Sequence, residues 1–200
     1  MAMREQSSRR LLLKRAAALG AVALGARAGL VLAQDRAATP QCHDGDQPTK
    51  EDIEGPFFKP RSPERGDLVA PGTRGLVITL AGSVLSRSCR PIPRAILDLW
   101  QADEDGDYDE DGFRYRGHLF SDANGRFRFR TIVPGLYPGR TRHFHMKVQA
   151  PNRPLLTTQL YFPGEPRNRL DDYFSPRLLM TIDENSDPET ARFDFVLDIP

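Results

Sequence analysis

The chain is 200 residues long, and its 28 lysine and arginine residues nearly balance its 27 aspartate and glutamate residues, for a formal net charge of +1. This balance excludes the strongly basic character of proteins that bind nucleic acid or anionic membrane surfaces. With only two cysteines in the whole chain, zinc and iron–sulfur frameworks are excluded as well.

Residues 1–33 predict a twin-arginine signal peptide. Arg9 and Arg10 precede an apolar stretch over residues 16–33. Arg27 interrupts that stretch, which is too short to predict a permanent membrane span. We therefore expect cleavage before Gln34, export to the periplasm or the extracellular space, and no stable membrane association afterwards. An amphipathic basic helix is the alternative.

Residues 34–75 are rich in proline, glycine and charge, without periodicity, and predict an extended arm. The signal carries six basic residues and one acidic residue, so the chain without it has a net charge of about −4. Cys42 lies in this arm and Cys89 lies further along the chain. In an oxidising compartment the two are a candidate disulfide. Two independent thiols are the alternative, because the sequence does not show that the two residues approach each other.

Residues 76–200 predict a single domain that is mainly β. Short apolar or alternating segments are separated by turn signals, and no long segment has a helical period. This pattern is typical of an antiparallel β-sandwich core with short helical turns. The predicted strands cover residues 76–85, 95–101, 126–131, 143–150, 157–162 and 191–199, and a helical turn is predicted within 171–179.

His143 and His145 are two positions apart on a predicted strand, so their side chains leave the same face. Phe144 and Met146 alternate with them and predict a core on the opposite face. The chain has only four histidines, and this spacing lets two imidazoles reach one metal ion. Two polar residues on an exposed strand face are the alternative.

Two tyrosines complete the candidate metal site. Tyr137 precedes the histidine pair in a turn, and Tyr108 lies in an Asp- and Gly-rich loop. Phenolate oxygen favours ferric iron and imidazole suits iron generally. Arg140 is close enough in sequence to hold a phenol ionised or to stabilise an anionic substrate. If the four side chains converge, the sequence predicts an Fe(III) enzyme.

The sequence resembles the intradiol ring-cleavage dioxygenases, the family of catechol 1,2-dioxygenase and protocatechuate 3,4-dioxygenase. The resemblance runs from about residue 49 to residue 174. It rests on blocks that follow one another in the same order, at residues 54–58, 91–95, 98–103, 106–108, 129–138, 140–145 and 157–162.

The resemblance implies a β-sandwich that holds non-haem Fe(III) and cleaves a catechol ring between its two hydroxyl-bearing carbons with O2, giving a muconate-type diacid. It implies that Tyr108 and His143 are equatorial ligands and that Tyr137 and His145 are axial ligands. In this scheme Tyr137 leaves the metal as substrate arrives and accepts a proton.

The resemblance also implies which residues contact the substrate. Pro56, Arg140 and Gln159 match substrate-pocket positions of the family, and Arg140 is also expected to stabilise charge that develops on the substrate. Arg142 occupies a position where the family usually has a small residue or proline, so we expect it to add positive charge beside the metal. Neither the preferred catechol nor the oligomeric state follows from the sequence.

Two other functions remain open at this stage. The first is a divalent-metal enzyme with two histidines and one carboxylate, using His143, His145 and an acid such as Asp107. The second is a secreted β-sandwich that binds a carbohydrate or a protein and has no catalysis.

Overall fold

The computed structural model describes residues 47–200. Within this range the chain forms nine strands and two short 3₁₀ helices. The strands are β1 Val77–Leu85, β2 Ile96–Trp100, β3 Arg116–Phe120, β4 Arg126–Ile132, β5 His143–Gln149, β6 Leu155–Tyr161, β7 Thr181–Asp183, β8 Glu189–Arg192 and β9 Phe195–Val196. The 3₁₀ helices are Pro166–Arg169 and Pro176–Leu178.

The strands form two sheets. One has the order β4-β1-β8-β7, with β9 paired to the end of β1, and the other has the order β3-β2-β5-β6. The predicted mainly β sandwich is therefore confirmed. Its strands are not all antiparallel, however, because β1 runs parallel to both β8 and β9. The chain makes the whole second sheet between β1 and β8, and this long connection allows the parallel return.

The core lies between the two sheets and follows the alternation in the sequence. On β4, Phe127 and Phe129 are buried while Arg126 and Arg128 are exposed. On β5, Phe144, Met146 and Val148 are fully buried in the same apolar cluster. The inward faces thus supply the hydrophobic stabilisation, and the outward face of β5 is left to polar side chains.

The predicted strand over residues 191–199 is divided into β8 and β9. The backbone N–H of Ser83 donates to Asp194 Oδ1 at 2.7 Å, so a side chain replaces a ladder carbonyl at that point. Gly82 lies so close to the carbonyl oxygen of Phe193 that a Cβ there would stand 1.8 Å from it. The resulting bend redirects the chain between the two short strands.

Residues 52–65 cross the outer face of the second sheet, and residues 66–68 then pair with Arg130 of β4 in the first sheet. Asp52 N–H donates to Thr157 O on β6 at 3.0 Å, and Arg65 N–H donates to His118 O on β3 at 2.8 Å. Between these points Phe58 packs on Trp100 of β2, with ring centroids 4.9 Å apart. The outward side chains of β2 and β5 are therefore covered by chain rather than by solvent.

Two sequence predictions concern residues outside this range. The signal peptide and Cys42 precede residue 47 and lie outside the described residues. Cys89 is disulfide-bonded; its pairing with Cys42 stays a prediction. No helix in residues 47–200 is long and apolar enough to cross a membrane.

Candidate metal centre

The site is built on one row of outward side chains across the second sheet. Strand register places Trp100 of β2 beside His145 of β5, and His145 beside Gln159 of β6. The indole of Trp100 stacks on the His145 imidazole with centroids 4.8 Å apart and planes 10° apart. His145 is only 2% exposed, so its ring has little freedom to turn.

The two imidazoles meet through their Nε2 atoms. His143 Nδ1 donates to Thr141 O at 2.6 Å, which fixes the proton on Nδ1 and leaves a lone pair on Nε2. This Nε2 lies 3.0 Å from His145 Nε2. Burial, together with the positive charge of Arg140, lowers the pKa of His143 to about 4. Burial and the neighbouring His143 lower the pKa of His145 well below its ordinary value. Both rings are therefore neutral near pH 7, the form in which imidazole binds metal.

Tyr108 completes a triangle of donor atoms. Its hydroxyl oxygen lies 3.0 Å from His145 Nε2 and 3.4 Å from His143 Nε2. Nitrogen and oxygen ligands stand about 2.0–2.2 Å from a transition-metal ion, so two ligands at right angles are about 3 Å apart. The observed separations match that spacing, and the donor set of imidazole nitrogen and phenol oxygen suits iron. The residues present thus fit the group that the sequence predicts.

The loop that carries Tyr108 is held by its own carboxylates. Asp103 Oδ1 accepts from the backbone N–H groups of Asp105 and Asp107 at 2.9 and 3.0 Å. Asp109 accepts from the backbone N–H groups of Gly112 and Arg114, both at 2.7 Å. These bonds explain the acidic character of the loop, since each carboxylate replaces a regular backbone partner.

An aromatic ring from the arm fixes the Tyr108 ring itself. Phe57 stacks on Tyr108 with centroids 4.3 Å and planes 12° apart. Burial raises the pKa of Tyr108, while the charges of Arg140 and Arg116 act in the opposite direction. A bound cation would add to that opposing effect and favour the phenolate.

Tyr137 stands beside the triangle rather than in it. Its ring lies edge-on to Tyr108, with centroids 5.8 Å apart, and edge-on to Phe57 at 5.4 Å. Its hydroxyl forms no hydrogen bond with any described residue, and the residue is half-buried. The structure thus brings three of the four predicted ligands within hydrogen-bonding distance of one another and places the fourth, Tyr137, in ring contact with Tyr108.

Arg140 is held at the site by two partners. Its Nε donates to Asp171 Oδ2 at 2.8 Å, and its terminal nitrogen donates to Gln159 Oε1 at 2.6 Å. Asp171 Oδ2 also accepts from Thr141 N–H at 2.8 Å. Because the Thr141 carbonyl orients His143, the same carboxylate helps to place both the arginine and the imidazole.

Comparison with known proteins then identifies the chain. A family model described as dioxygenase matches residues 53–199. The chain belongs to the intradiol ring-cleavage dioxygenase family. Hydroxyquinol 1,2-dioxygenase from Rhodococcus opacus is 34% identical over 143 residues, which cover 60% of this chain and 48% of that protein. The chain thus spans about half the length of the curated relatives it matches.

Two solved structures show the likeness in three dimensions. The dioxygenase domain of a dioxygenase–carbohydrate-binding protein fusion from Streptomyces sp. SirexAA-E has 55% identity and a TM-score of 0.75, covering 77% of this chain and 100% of that chain. The 3-chlorocatechol 1,2-dioxygenase from Rhodococcus opacus 1CP has 26% identity and a TM-score of 0.70, covering 76% and 74%.

The two-histidine, one-carboxylate alternative finds no support in the described part of the chain. Among residues 47–200, no group of three His, Cys, Asp or Glu side chains is placed to hold a metal ion. Asp107 is exposed and lies on the same loop as Tyr108, but the contact to the imidazoles is made by the tyrosine. The oxygen donor next to the histidines is therefore a phenol.

The expectation for Arg142 is wrong. Strand alternation directs it away from His143, and its Nε donates to Glu165 Oε2 at 3.2 Å. A second nitrogen donates to the Pro134 carbonyl. Its charge is thus neutralised on the other side of β5 and does not lie beside the triangle.

The remaining predicted pocket residues have different surroundings. Gln159 is fully buried, and its Nε2 donates to Ile53 O at 2.8 Å while its Oε1 accepts from Arg140. Both ends are engaged, so Gln159 positions Arg140. Pro56 is exposed in the turn that precedes Phe57. Direct contact of either residue with substrate stays a prediction.

Three contributors were not predicted as site residues: Asp171, Phe57 and Arg116. Arg116 is 1% exposed and lies opposite Trp100. Their positions depend on contacts between residues 31 to 59 positions apart in the chain, so no local pattern marks them. The one available signal was the position of Phe57 inside the shared block at residues 54–58; Arg116 and Asp171 lie outside every shared block.

The lowered pKa of His143 makes the stability of the metal-free protein depend on pH. In the unfolded chain a histidine titrates near 6.5, whereas His143 titrates at about 4 when folded. Between these values the unfolded state binds more protons, so acidification lowers the free energy of unfolding by about 1.4 kcal/mol per pH unit for this residue. We expect the free energy of unfolding, measured with urea between pH 7 and pH 4.5, to fall less steeply with acidification in His143→Asn than in the wild type. The same pH dependence of the free energy of unfolding in both proteins would contradict the lowered pKa of His143.

Proposed function

We propose that this chain is a non-haem Fe(III) dioxygenase that cleaves a catechol-type ring between its two hydroxyl-bearing carbons, using O2 and giving a muconate-type diacid. The observation that carries the proposal is the triangle of Tyr108 Oη and the Nε2 atoms of His143 and His145, with sides of 3.0 to 3.4 Å. Relatives that match the chain are named catechol and hydroxyquinol 1,2-dioxygenases, which supports this substrate class.

The proposed ligands are Tyr108, Tyr137, His143 and His145. A ferric ion held by these residues would supply Lewis acidity, which would lower the pKa of the catechol hydroxyls. The chain supplies neutral imidazole nitrogens from the two histidines and phenol oxygens from the two tyrosines. Hydrogen bonds and ring stacking fix three of these side chains before any ligand arrives.

Tyr137 is suited to take a proton from the substrate. Its hydroxyl is not hydrogen-bonded to any described residue, and its ring lies edge-on to Phe57 and Tyr108. Its Oη can therefore move toward or away from the triangle at little cost. As a phenolate it would accept the proton of one catechol hydroxyl and become a neutral phenol.

Arg140 is suited to stabilise negative charge on the bound ring oxygens. Its guanidinium is oriented by Asp171 and Gln159, and its side chain is only 13% exposed. A cation fixed before the reaction interacts strongly with charge that develops beside it in a site that excludes water. We therefore assign turnover, rather than iron binding, to this residue.

The binding-only alternative differs in a measurable way. A binding protein of the same fold would contain no stoichiometric iron and would take up no oxygen with catechol. The proposed enzyme would be coloured, because tyrosinate bound to ferric iron absorbs visible light by charge transfer.

Removing the Tyr108 hydroxyl tests the ligand assignment. We expect Tyr108→Phe to lose most of the visible absorption and to lower kcat/KM for catechol by about 100-fold or more, because a ligand and its charge are lost. Tyr115→Phe is the matched control. Tyr115 is also buried, but its hydroxyl contacts Glu104 and not the histidines. Full ring cleavage by Tyr108→Phe, measured by oxygen uptake, would refute the assignment.

Adding one methyl group at Gly55 tests how closely the arm packs against the His145 imidazole. A Cβ at this position would lie 3.2 Å from His145 Cε1 and 3.9 Å from its Nε2. We expect Gly55→Ala to weaken Fe(III) binding by about tenfold or more, because a small displacement of a ligand is costly.

Gly164→Ala is the matched control for this substitution. Gly164 has the same φ of +72°, but a Cβ there would meet nothing within 4 Å. Both variants thus carry the same backbone strain. Equal Fe(III) affinity for the two, measured by titration of the metal-free proteins, would show that the arm does not press on the site.

We further propose that the protein is exported by the twin-arginine route. The Arg9-Arg10 pair supports this, and the disulfide-bonded state of Cys89 agrees with an oxidising compartment. Replacing both arginines by lysine should leave the protein in the cytoplasmic fraction of a twin-arginine-competent host. Unchanged export of that double variant would contradict the route.

A further inference from the structure

Arg116 is the most deeply buried cation of the described residues. It begins β3 opposite Trp100 and is 1% exposed. Burial lowers its pKa, which shows that its charge has lost solvation. Burying a guanidinium is unfavourable unless its N–H donors are hydrogen-bonded. The hydrogen-bond partners of Arg116 therefore indicate its role.

All of its side-chain hydrogen bonds to the described residues are donated to backbone carbonyls. Nε and one terminal nitrogen donate to Asp109 O at 3.2 and 2.9 Å, and the other terminal nitrogen donates to Phe57 O at 2.5 Å. No carboxylate in residues 47–200 forms an ion pair with it, in contrast to Arg140 and Asp171. A guanidinium can join two carbonyls in this way because its donors form a rigid planar fork.

The two carbonyls belong to segments that share no strand or helix. Phe57 lies in the arm and Asp109 lies in the loop directly after Tyr108. The same two segments supply the stacked rings of Phe57 and Tyr108, 4.3 Å apart. Arg116 therefore joins the backbones of the two segments that carry the stacked rings.

We propose that Arg116 is a positioning residue for the Tyr108 ligand: it clamps the arm to the Tyr108 loop and so aims the phenol oxygen at the two Nε2 atoms. The role follows from the bonds to Phe57 O and Asp109 O, and it rests on the proposed function. Phe57 acts with it through the ring stack, which joins the two segments at Tyr108 itself, whereas Lys59 joins them further along the loop by donating to Glu110 O and Gly112 O, both at 2.7 Å.

The first test uses the metal-free protein. Near-ultraviolet circular dichroism reports the packing of the Phe57, Tyr108 and Tyr137 rings without iron. We expect Arg116→Met to lose the same part of this signal as Phe57→Leu, while far-ultraviolet circular dichroism stays unchanged. Arg177→Met is the matched control, because Arg177 also donates to an arm carbonyl, that of Pro48, at 2.9 Å. It should retain the signal.

The second test loads the same proteins with Fe(III). We expect Arg116→Met to shift and weaken the visible tyrosinate band and to lower kcat for catechol about tenfold or more, with KM changed less than about threefold. Arg116→Lys, which keeps the charge and a single donor nitrogen, should recover part of the visible band and part of kcat. If Arg116 were needed only for stability, its replacement would lower the unfolding midpoint and leave the visible band and kcat unchanged. That result, or an unaltered near-ultraviolet spectrum, would overturn the proposal.

If Arg116→Met does not fold, a double variant tests whether Arg116 and Phe57 act together in positioning Tyr108. Arg116→Lys and Phe57→Leu act on one clamp, so their combined loss of Fe(III) affinity should be smaller than the product of the two single losses. Independent, fully multiplicative losses would overturn the proposal. If the wild type itself neither bound Fe(III) nor cleaved catechol, the proposed function would fail, while the metal-free spectra would still decide the clamp.

Discussion

The structure depends on one close approach: a phenol oxygen and two imidazole nitrogens meet at 3.0 to 3.4 Å in a buried place. The lone pair of His143 Nε2 points into this space because its other nitrogen is committed to the Thr141 carbonyl. In the metal-free state Tyr108 can donate its one proton to only one imidazole nitrogen, so the remaining lone pairs face one another without attraction. A cation among them would supply it.

The fold assigns stability and chemistry to opposite faces of the same strand. Residues of β5 that point inward belong to the apolar core, and those that point outward carry the imidazoles. The arm then covers the outward face and adds Phe57 and Phe58 to the rings of Tyr108 and Trp100. The second sheet thus supports the site, and the aromatic side chains of the arm pack on its outward face and hold the ligand side chains in place. The fold alone does not determine the chemistry, which resides in this constellation.

The sequence predicted the parts whose pattern is local. Alternation gave β4 and β5, and spacing placed His143 and His145 on one face, as the structure confirms. Strand β3 was missed, because Gly117 and His118 interrupt any apolar alternation and the strand exists through its pairing with β2. Arg116, Phe57 and Asp171 were missed for a related reason. Each acts through a contact between distant segments, which neither periodicity nor spacing reveals. The error at Arg142 has a local cause, since alternation around His143 already directs it to the other side.

The most direct test is a crystal structure of the protein grown with Fe(III), with anomalous diffraction recorded above and below the iron absorption edge. The account predicts one iron peak within about 2.2 Å of Tyr108 Oη, His143 Nε2 and His145 Nε2, the usual length of such bonds. An iron peak bound to carboxylates elsewhere, or a triangle that holds no metal in iron-saturated crystals, would contradict it.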